Sequence, residues 1–242
     1  MHRSISIVIP AYNEEKRLPA TLSRIVEYLD TGRFEFAEIL VVDDGSRDST
    51  VALAREFAQR RPSVKVLQNP GNRGKGYSVR HGMLKAEGDW ALFTDADLSA
   101  PIEELEKLLD VVERNGAAIA IGSRALDRSL IGVHQPAFRE YAGRFFNLVM
   151  RLITGLKFHD TQCGFKLFRQ DAARAIFSRQ RLERFGFDAE VLYIGQRLGL
   201  RTLEVPVRWN DVAGSKVGTL QGLNGFVDLA RVRLNDWAGR YS

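Results

Sequence analysis

Residues 5–14 read Ile5-Ser6-Ile7-Val8-Ile9 followed at once by Pro10-Ala11-Tyr12-Asn13-Glu14. A nearly continuous apolar run of this length predicts a strand that is covered on both faces of a sheet. Ligands of α/β sheets bind beyond the carboxyl ends of such strands. This stretch therefore predicts an α/β fold and indicates the sheet edge at which a functional site is expected.

The rest of the first half alternates between strand and helix patterns. The predicted strands here are Ile39–Asp43, Val64–Gln68, Ala91–Asp95 and Ala118–Gly122. The predicted helices are Leu18–Leu29, Thr50–Arg60, Gly76–Ala86 and Ile102–Asn115. Ser99, with Pro101 and Glu103 after it, is typical of the start of the last of these helices. The alternation predicts a mostly parallel central sheet with helices on both faces.

The second half is less regular. Its predicted elements are the helices Arg139–Ile153, Asp188–Leu198 and Leu220–Trp237 and the strands Gly164–Arg169 and Thr202–Val207. No linker rich in proline, glycine and serine separates the halves, so a single domain spanning residues 1–242 is expected.

Composition narrows the classes of function. The formal net charge is +5, which suits an anionic partner, but no run of like charges is long enough to be a nucleic-acid tail, so no nucleic acid is expected. The single cysteine, Cys163, fits a reducing cytoplasm and is expected to be buried. There is no signal-peptide pattern and no apolar run of about 18 residues, so no spanning helix is expected.

Asp95-Ala96-Asp97 follows the fourth predicted strand. Side chains two residues apart on an extended segment point the same way, and two such carboxylates repel each other unless a cation lies beside them. Oxygen ligands suit Mg²⁺ or Mn²⁺ together with substrate phosphates. The alternative is that one aspartate caps the turn and the other is solvated.

Two further strand ends carry polar residues. Asp43 and Asp44 can accept hydrogen bonds from a ribose or a base, or Asp43 can cap the turn while Ser46 or Asp48 caps the next helix. Tyr12 can stack beside a base or simply pack. The glycine-rich basic loop 69–76, which includes Lys75, opens a helix and can meet an anion through its backbone N–H groups, or it can be a flexible turn.

Taken together the motifs resemble a known family. V-I-P-A-Y-N-E, V-V-D-D-G-S-x-D, N-x-G-K-G, T-D-A-D-L-S and G-S-R occur in that order. This resembles family-2 glycosyltransferases of the Rossmann-like GT-A fold. The stretches 160–168, 187–190 and 204–216 resemble dolichyl-phosphate glucosyltransferases more than the mannosyl branch of the polyprenyl-phosphate enzymes. The resemblance covers nearly the whole chain.

The resemblance implies roles for particular residues. It implies a nucleotide-sugar-binding half, residues 1–125, and an acceptor-binding half, residues 126–242. Pro10, Tyr12, Glu14 and Asp44 match positions in the nucleoside pocket, Asp95 and Asp97 match the metal and diphosphate motif, and Arg124 and Lys216 match basic positions near the donor or acceptor phosphates. Ala96, between the two aspartates, and Lys75, in the glycine-rich loop, are further candidates for binding the donor.

The expected reaction is an inverting transfer of glucose from UDP-glucose to a polyprenyl or dolichyl phosphate, with Mg²⁺ or Mn²⁺ as cofactor. An ionised phosphate acceptor needs no strong base. It needs positive charge, for which the candidates are Arg124, Arg144, Lys166 and Lys216. A sugar hydroxyl acceptor would need a base, and Asp188 or Asp160 is the first candidate.

Helix 139–153 bears on membrane contact. Its polar residues fall on one narrow stripe, so it is either buried in the protein or lies in a bilayer interface. The chain is therefore expected in the cytoplasm, peripherally associated with the cytoplasmic membrane. Eukaryotic glucosyl relatives carry an N-terminal membrane helix that is not in this sequence, which leaves room for a separate membrane-protein partner.

Three rival functions stay open at this point. A nucleotidyltransferase also uses metal-binding aspartates but would want a glycine-rich signature near the first strand. A phosphatase would use the T-D-A-D-L-S aspartate to accept a phosphoryl group, although that pattern normally opens a chain. A non-catalytic module would use the basic face for membrane docking.

Overall fold

The computed structural model describes residues 3–133, 137–212 and 219–241, with the backbone alone at 137, 139, 140, 142, 144 and 219–225. The strands in these residues are β1 (Ser4–Ala11), β2 (Phe36–Asp43), β3 (Val64–Gln68), β4 (Trp90–Thr94), β5 (Ile119–Ser123), β6 (Ile131–Val133), β7 (Phe165–Arg169), β8 (Thr202–Pro206) and β9 (Trp209–Asn210). The helices are α1 (Leu18–Leu29), α2 (Thr50–Arg60), α3 (Lys75–Lys85), α4 (Leu105–Asn115), α5 (Ala137–Thr154), α6 (Gln170–Arg179), α7 (Phe187–Arg197) and α8 (Thr219–Trp237).

Among the described strands, seven form one sheet in the order β3-β2-β1-β4-β7-β5-β8. Strands β1, β2, β3 and β4 run parallel, and β5 runs parallel to β8. Strand β7 lies antiparallel between β4 and β5, with Leu92 opposite Leu167. The predicted mostly parallel α/β sheet is thus confirmed, and it takes strands from both predicted halves of the chain.

The sheet separates two apolar cores, because alternate side chains of a strand point to opposite faces. Ile5, Ile7 and Ile9 of β1 are fully buried against α1, α2 and α4. Val8 lies on the other face, with residues of α3, α5, α6, α7 and α8. Helices therefore cover both faces, which explains the nearly unbroken apolar runs of the strands.

The structure differs from the predicted elements at several points, among them the short strands β6 and β9, which were not predicted. Helix α6 follows β7 directly and was not predicted, although its buried Ala172, Ala173, Ile176 and Phe177 recur at helical spacing. The helix predicted at 102–115 begins as a 3₁₀ turn, Ile102–Glu104, before α4. Ser99 does not cap it, because its hydroxyl and its N–H both donate to Oδ1 of Asp97.

Helix α5 is amphipathic and only partly packed. Its aromatic residues Phe145 and Phe146 contact Phe226 of α8, with ring centroids 6.2 and 5.2 Å apart. The large apolar side chains that stay exposed on this helix are Phe138, Tyr141, Phe145, Leu148 and Leu152. In the described part of the chain, none of the helices has the length and apolar character needed to cross a membrane.

Candidate active site

The polar residues predicted at three strand ends lie on one edge of the sheet. Strands β2, β1 and β4 are neighbours and parallel, so their carboxyl ends point the same way. Residues 10–14, the pair Asp43-Asp44 and the turn 95–97 lie at these three ends. The sheet topology therefore brings together the residue groups that the sequence placed at separate points along the chain.

The loop after β1 is joined to the loop after β2. Asn13 has φ 54°, in the left-handed region, which asparagine tolerates better than most residues. Its N–H donates to Ser46 Oγ at 2.9 Å, and its Oδ1 accepts from the Arg47 N–H at 2.8 Å. The Glu14 N–H donates to Thr50 Oγ1 at 2.7 Å. These bonds hold the loop that carries Pro10, Tyr12 and Glu14.

Asp43 and Asp44 have different surroundings. Asp43 accepts from the N–H groups of Gly45 and Ser46, so it caps its own turn, as one of the predicted alternatives had it. Asp44 is buried and points to the glycine-rich loop. Its Oδ1 accepts from Asn69 Nδ2 and the Arg73 N–H, and its Oδ2 accepts from the Gly74 N–H at 2.8 Å. Asp44 thus holds the glycine-rich loop beside the predicted nucleoside pocket.

The glycine-rich loop directs Lys75 at the acidic turn. Gly74 has φ 115°, a conformation that side chains rarely adopt, and immediately precedes α3. The Lys75 Nζ lies 2.6 Å from Asp95 Oδ1. Burial alone would lower the pKa of Lys75, but the carboxylates of Asp95 and Asp188 raise it above its ordinary value. Lys75 therefore stays charged against the acidic turn.

The turn 95–97 presents both carboxylates near the surface. Asp95 is 34% and Asp97 22% exposed. Leu98, directly after Asp97, has φ 47°, which is strained for a bulky residue, and its N–H donates to the Asp95 carbonyl. Such strained conformations persist where surrounding contacts impose them, often at functional sites.

Asp97 and Asp95 repel each other electrostatically. Burial, and after it the negative charge of Asp95, raises the pKa of Asp97 above its ordinary value. Among the described residues, Arg17 forms an ion pair with Asp97, and its Nη1 lies 3.9 Å from Oδ2. That Nη1 is buried and has no hydrogen-bond partner in the residues described. The edge thus holds excess negative charge on the turn and an unsatisfied N–H group beside it.

The residues fit a divalent metal held jointly with a diphosphate. The described residues contain no group of three or more histidine, cysteine and acidic side chains that could hold a metal alone. Mg²⁺ is commonly held by one or two carboxylates with substrate phosphates and waters. Two partly exposed carboxylates beside the orphaned Arg17 N–H group meet that requirement.

Gly164 lies directly against the acidic turn. Its carbonyl accepts from the Asp95 N–H at 3.2 Å. A Cβ added at Gly164 would lie 2.1 Å from Asp95 Oδ2, well inside contact distance. In the sequence this residue is only the first residue of a predicted strand, with no predicted role in the site. The structure shows that a side chain there would displace the Asp95 carboxylate.

Arg124 is held by Asp160 at the end of β5. Its Nε and Nη2 donate to the two carboxylate oxygens of Asp160 at 2.7 and 2.9 Å, and its guanidinium lies 5.3 Å from the Trp209 ring centroid. Burial alone would raise the pKa of Asp160, but the charge and hydrogen bonds of Arg124 lower it to about 2. Asp160 is thereby ion-paired, and two of the three guanidinium nitrogens of Arg124, Nε and Nη2, are bound to it.

Asp188 is paired with a buried lysine. The Lys166 Nζ donates to Asp188 Oδ1 at 2.5 Å and to the Cys163 carbonyl at 2.7 Å. Lys166 is fully buried and lies over the Phe93 ring, so the prediction that it is open to an acceptor phosphate is wrong. It failed because β7 directs this side chain into the core. Cys163 is buried as expected, and burial raises the pKa of its thiol to about 12.

The side chains of two predicted cations lie outside the part of the chain that the structure describes. Lys216 is not among the described residues, and the side chain of Arg144 is not described either. Sequence reasoning also missed Arg17 and Asn69. Arg17 follows the P-A-Y-N-E motif by three residues and binds Glu14 at 2.7 Å. Asn69 is the first residue of the glycine-rich loop and bonds Asp44.

The chain is similar to named relatives over most of its length. The family model described as glycosyl transferase family 2 matches residues 6–177. A dolichyl-phosphate beta-glucosyltransferase of Trichomonas vaginalis is 37% identical over 98% of this chain and 76% of its own. The human dolichyl-phosphate beta-glucosyltransferase is 38% identical over 89% of this chain and 70% of its own.

Solved structures share the fold at low sequence identity. Glucosyl-3-phosphoglycerate synthase of Mycobacterium tuberculosis, in complex with Mn²⁺, UDP-glucose and phosphoglyceric acid, has a TM-score of 0.70 at 19% identity and covers 95% of this chain and 79% of that one. Mannosyl-3-phosphoglycerate synthase of Rubrobacter xylanophilus has a TM-score of 0.69 at 18% identity, with 98% and 75% covered. These likenesses confirm the predicted GT-A fold. With 172 of 242 residues matched by the family model, the chain belongs to glycosyl transferase family 2.

Proposed function

We propose that the chain is an inverting glucosyltransferase that moves glucose from UDP-glucose to a polyprenyl phosphate such as dolichyl phosphate. The observation that carries the proposal is the acidic pair Asp95 and Asp97 beside the cations Lys75 and Arg17 at the ligand-binding edge of the sheet. The choice of sugar and acceptor is supported by relatives that are named dolichyl-phosphate beta-glucosyltransferases.

The donor binds along the carboxyl edge of β2, β1 and β4. In this proposal Pro10, Tyr12, Glu14 and Asp44 line the nucleoside pocket. Asp95 and Asp97 would hold Mg²⁺ or Mn²⁺, and the metal would offset the negative charge that develops on the departing diphosphate. Arg17 and Lys75 lie beside the two carboxylates and bind the diphosphate oxygens by charge-assisted hydrogen bonds.

The acceptor is a phosphate and needs no proton removed. Its second pKa is about 6, so it is mostly dianionic at neutral pH. One of its oxygens attacks the anomeric carbon from the face opposite UDP; a new carbon–oxygen bond forms as the bond to UDP breaks with its electron pair. The single displacement converts an α donor into a β product. Asp188 stays the first residue to test as a base if the acceptor is instead a hydroxyl.

The protein acts at a membrane surface through α5. The exposed apolar residues of this helix recur at spacings of three and four and so share one face, which here is called the α5 stripe: Phe138, Tyr141, Phe145, Leu148 and Leu152. Soluble monomers rarely expose contiguous apolar surface of this kind without a partner. An amphipathic helix lying in the headgroup region supports contact with a lipid-borne acceptor.

The proposal is tested by a donor and acceptor screen. UDP-glucose, UDP-galactose and GDP-mannose are each incubated with Mn²⁺, with and without a prenyl phosphate, and the product is analysed by mass spectrometry and by the anomeric NMR coupling. Glucosyl prenyl phosphate of β configuration, formed from UDP-glucose alone, supports the proposal. Transfer only to a sugar hydroxyl, or pyrophosphate release from a nucleoside triphosphate and a sugar phosphate, refutes it.

A further inference from the structure

A cavity separate from the acidic turn lies between the segment before α7 and helix α8. It has a volume of about 480 Å³, within the range of ligand pockets. One wall is the segment 181–185, which precedes α7, and the other is the face of α8 that carries Val227, Asp228 and Arg231. We call this the α8 cavity.

The α8 cavity carries an excess of positive charge. Its walls contain Arg181, Arg184 and Arg231 against the two carboxylates of Glu183 and Asp228. Glu183 is already bound to Arg73, 2.5 Å away in the glycine-rich loop, and Asp228 to Arg231 at 3.1 Å. Arg181 and Arg184 have no carboxylate partner in the chain as described, so their guanidinium groups are available to an anion.

The α8 cavity borders the donor site. A Cβ added at Gly74 would lie 2.5 Å from the Glu183 carbonyl oxygen and 3.0 Å from Arg184 Cγ. The Tyr77 N–H donates to the same carbonyl at 3.0 Å. The segment 181–185 is therefore packed directly against the start of α3, from which Lys75 extends to Asp95. A ligand in the cavity lies one loop away from the acidic turn.

The face of α8 that lines the cavity continues into apolar surface. Val227, Arg231 and Leu234 are spaced by four and three residues, so they share one face of α8. Val227 lines the cavity and is 52% exposed, and Leu234 and Trp237 beyond it are also exposed. The neighbouring Phe226 packs on Phe145 of the α5 stripe. Positive charge at one end and apolar surface at the other match an amphipathic anion.

We propose that the α8 cavity binds the phosphate and first isoprene units of the acceptor, with Arg181 and Arg184 on the phosphate and Val227 against the chain. This rests on the proposed function for the identity of the ligand. Guanidinium groups suit phosphate because they present paired donors. The arrangement brings a phosphate oxygen toward the donor while the chain leaves along α8 toward the membrane surface.

The test uses the whole protein and three probes: farnesyl phosphate, glycerol 3-phosphate and inorganic phosphate, each titrated by calorimetry. The double variant Arg181→Gln with Arg184→Gln is expected to bind farnesyl phosphate at least about tenfold more weakly, with Mn²⁺–UDP affinity unchanged. Arg174→Gln, which removes an exposed arginine of α6, is the matched control and retains full affinity. Unchanged farnesyl phosphate affinity in the double variant overturns the inference.

A second variant tests the apolar part. Val227→Ser removes apolar surface without adding a charge to the cavity, so it is expected to weaken farnesyl phosphate binding while leaving inorganic phosphate binding unchanged. Equal affinity of the wild-type protein for glycerol 3-phosphate and farnesyl phosphate overturns the isoprenoid assignment, as does unchanged farnesyl phosphate binding in the Val227 variant. No binding of any probe to the wild-type protein overturns the inference as a whole.

Transfer assays separate this inference from the proposed function. If the wild-type protein glucosylates farnesyl phosphate and the double variant keeps the same KM for it, the cavity assignment is wrong and the proposed function stands. If farnesyl phosphate binds in the wild-type protein and is lost in the double variant, but no transfer occurs, the cavity assignment stands and the proposed function is wrong.

Discussion

The Lys75 Nζ lies 2.6 Å from Asp95 Oδ1, so an ion pair joins the glycine-rich loop to the acidic turn. In the proposed donor complex the metal would bind Asp95 and the diphosphate would bind Lys75, so each would compete with this ion pair. Lys75→Met is therefore expected to weaken UDP binding by about tenfold to a hundredfold, because a charge-assisted hydrogen bond is lost. It is also expected to tighten Mn²⁺ binding to the nucleotide-free protein, because Asp95 loses its cation.

Both effects are measured directly, by calorimetry for UDP and by electron paramagnetic resonance for free Mn²⁺. Lys85→Met, at the exposed last residue of the same helix, is the matched control and is expected to change neither. If Lys75→Met leaves both affinities at the wild-type value, the competition between lysine and metal for Asp95 does not exist.

Gly164→Ala tests how closely the acidic turn is packed. The new Cβ would lie 2.1 Å from Asp95 Oδ2, so the carboxylate must move. We expect Mn²⁺-dependent UDP affinity to fall about tenfold or more, since catalytic geometry tolerates little displacement. Gly143→Ala on α5 is the control, because a Cβ there meets no atom within 4 Å. Wild-type affinity in the Gly164 variant would show that Asp95 is not held in the geometry described.

Asp160 makes stability depend on pH. Its folded-state pKa of about 2 lies below the ordinary value of 3.8, so its contribution is present above pH 3.8 and is lost as pH falls toward 2. From this shift the contribution is about 2 kcal/mol. Asp160→Asn is expected to lower the free energy of unfolding at pH 7, with a difference from wild type that shrinks below pH 4.

Urea denaturation at pH 7, 4 and 3 measures this difference. Asp110→Asn is the matched control, because Asp110 pairs with Arg114 on the surface, where such pairs contribute less than about 1 kcal/mol. A gap between wild type and Asp160→Asn that is as wide at pH 3 as at pH 7 would contradict the assigned ion pair.

Leu152→Glu tests membrane contact through the α5 stripe. Leu152 is 77% exposed, so its replacement leaves the fold intact but places a charge on the apolar face. We expect binding to anionic lipid vesicles in a sedimentation assay to fall by about tenfold, the value of burying one leucine side chain. Leu84→Glu, at an exposed leucine of α3, controls for the charge and is expected to bind normally. Equal loss in both variants would show a charge effect alone.

The sequence predicts the sheet well because the signals are local. Ile5–Ile9 and Ile39–Asp43 are almost uninterrupted apolar runs, and a strand buried on both faces requires such a run. The place of Asp95 and Asp97 follows in turn, because parallel strands bring their carboxyl ends to one edge. The topology rule thus locates the candidate site before any contact is known.

The contacts within the site are not local and could not be predicted in this way. Lys75 meets Asp95 from a different loop, and the approach of Gly164 to Asp95 depends on β7 lying beside β4. Lys166 illustrates the same limit. Its charge made it a candidate cation for the acceptor phosphate, yet its position in β7 places it in the core against Asp188. Which face of an inserted antiparallel strand is buried depends on its neighbours in the sheet.

The acidic pair is the centre of the account, and Asp97→Asn tests it most directly. This substitution preserves the shape of the side chain and removes its charge. The measurement is Mn²⁺-dependent transfer of glucose from UDP-glucose to farnesyl phosphate, by wild type and variant at matched fold stability. We expect the rate to fall by at least about a hundredfold, together with loss of the Mn²⁺-dependent part of UDP binding. A variant that keeps near-wild-type turnover and Mn²⁺-dependent UDP affinity would contradict the assignment.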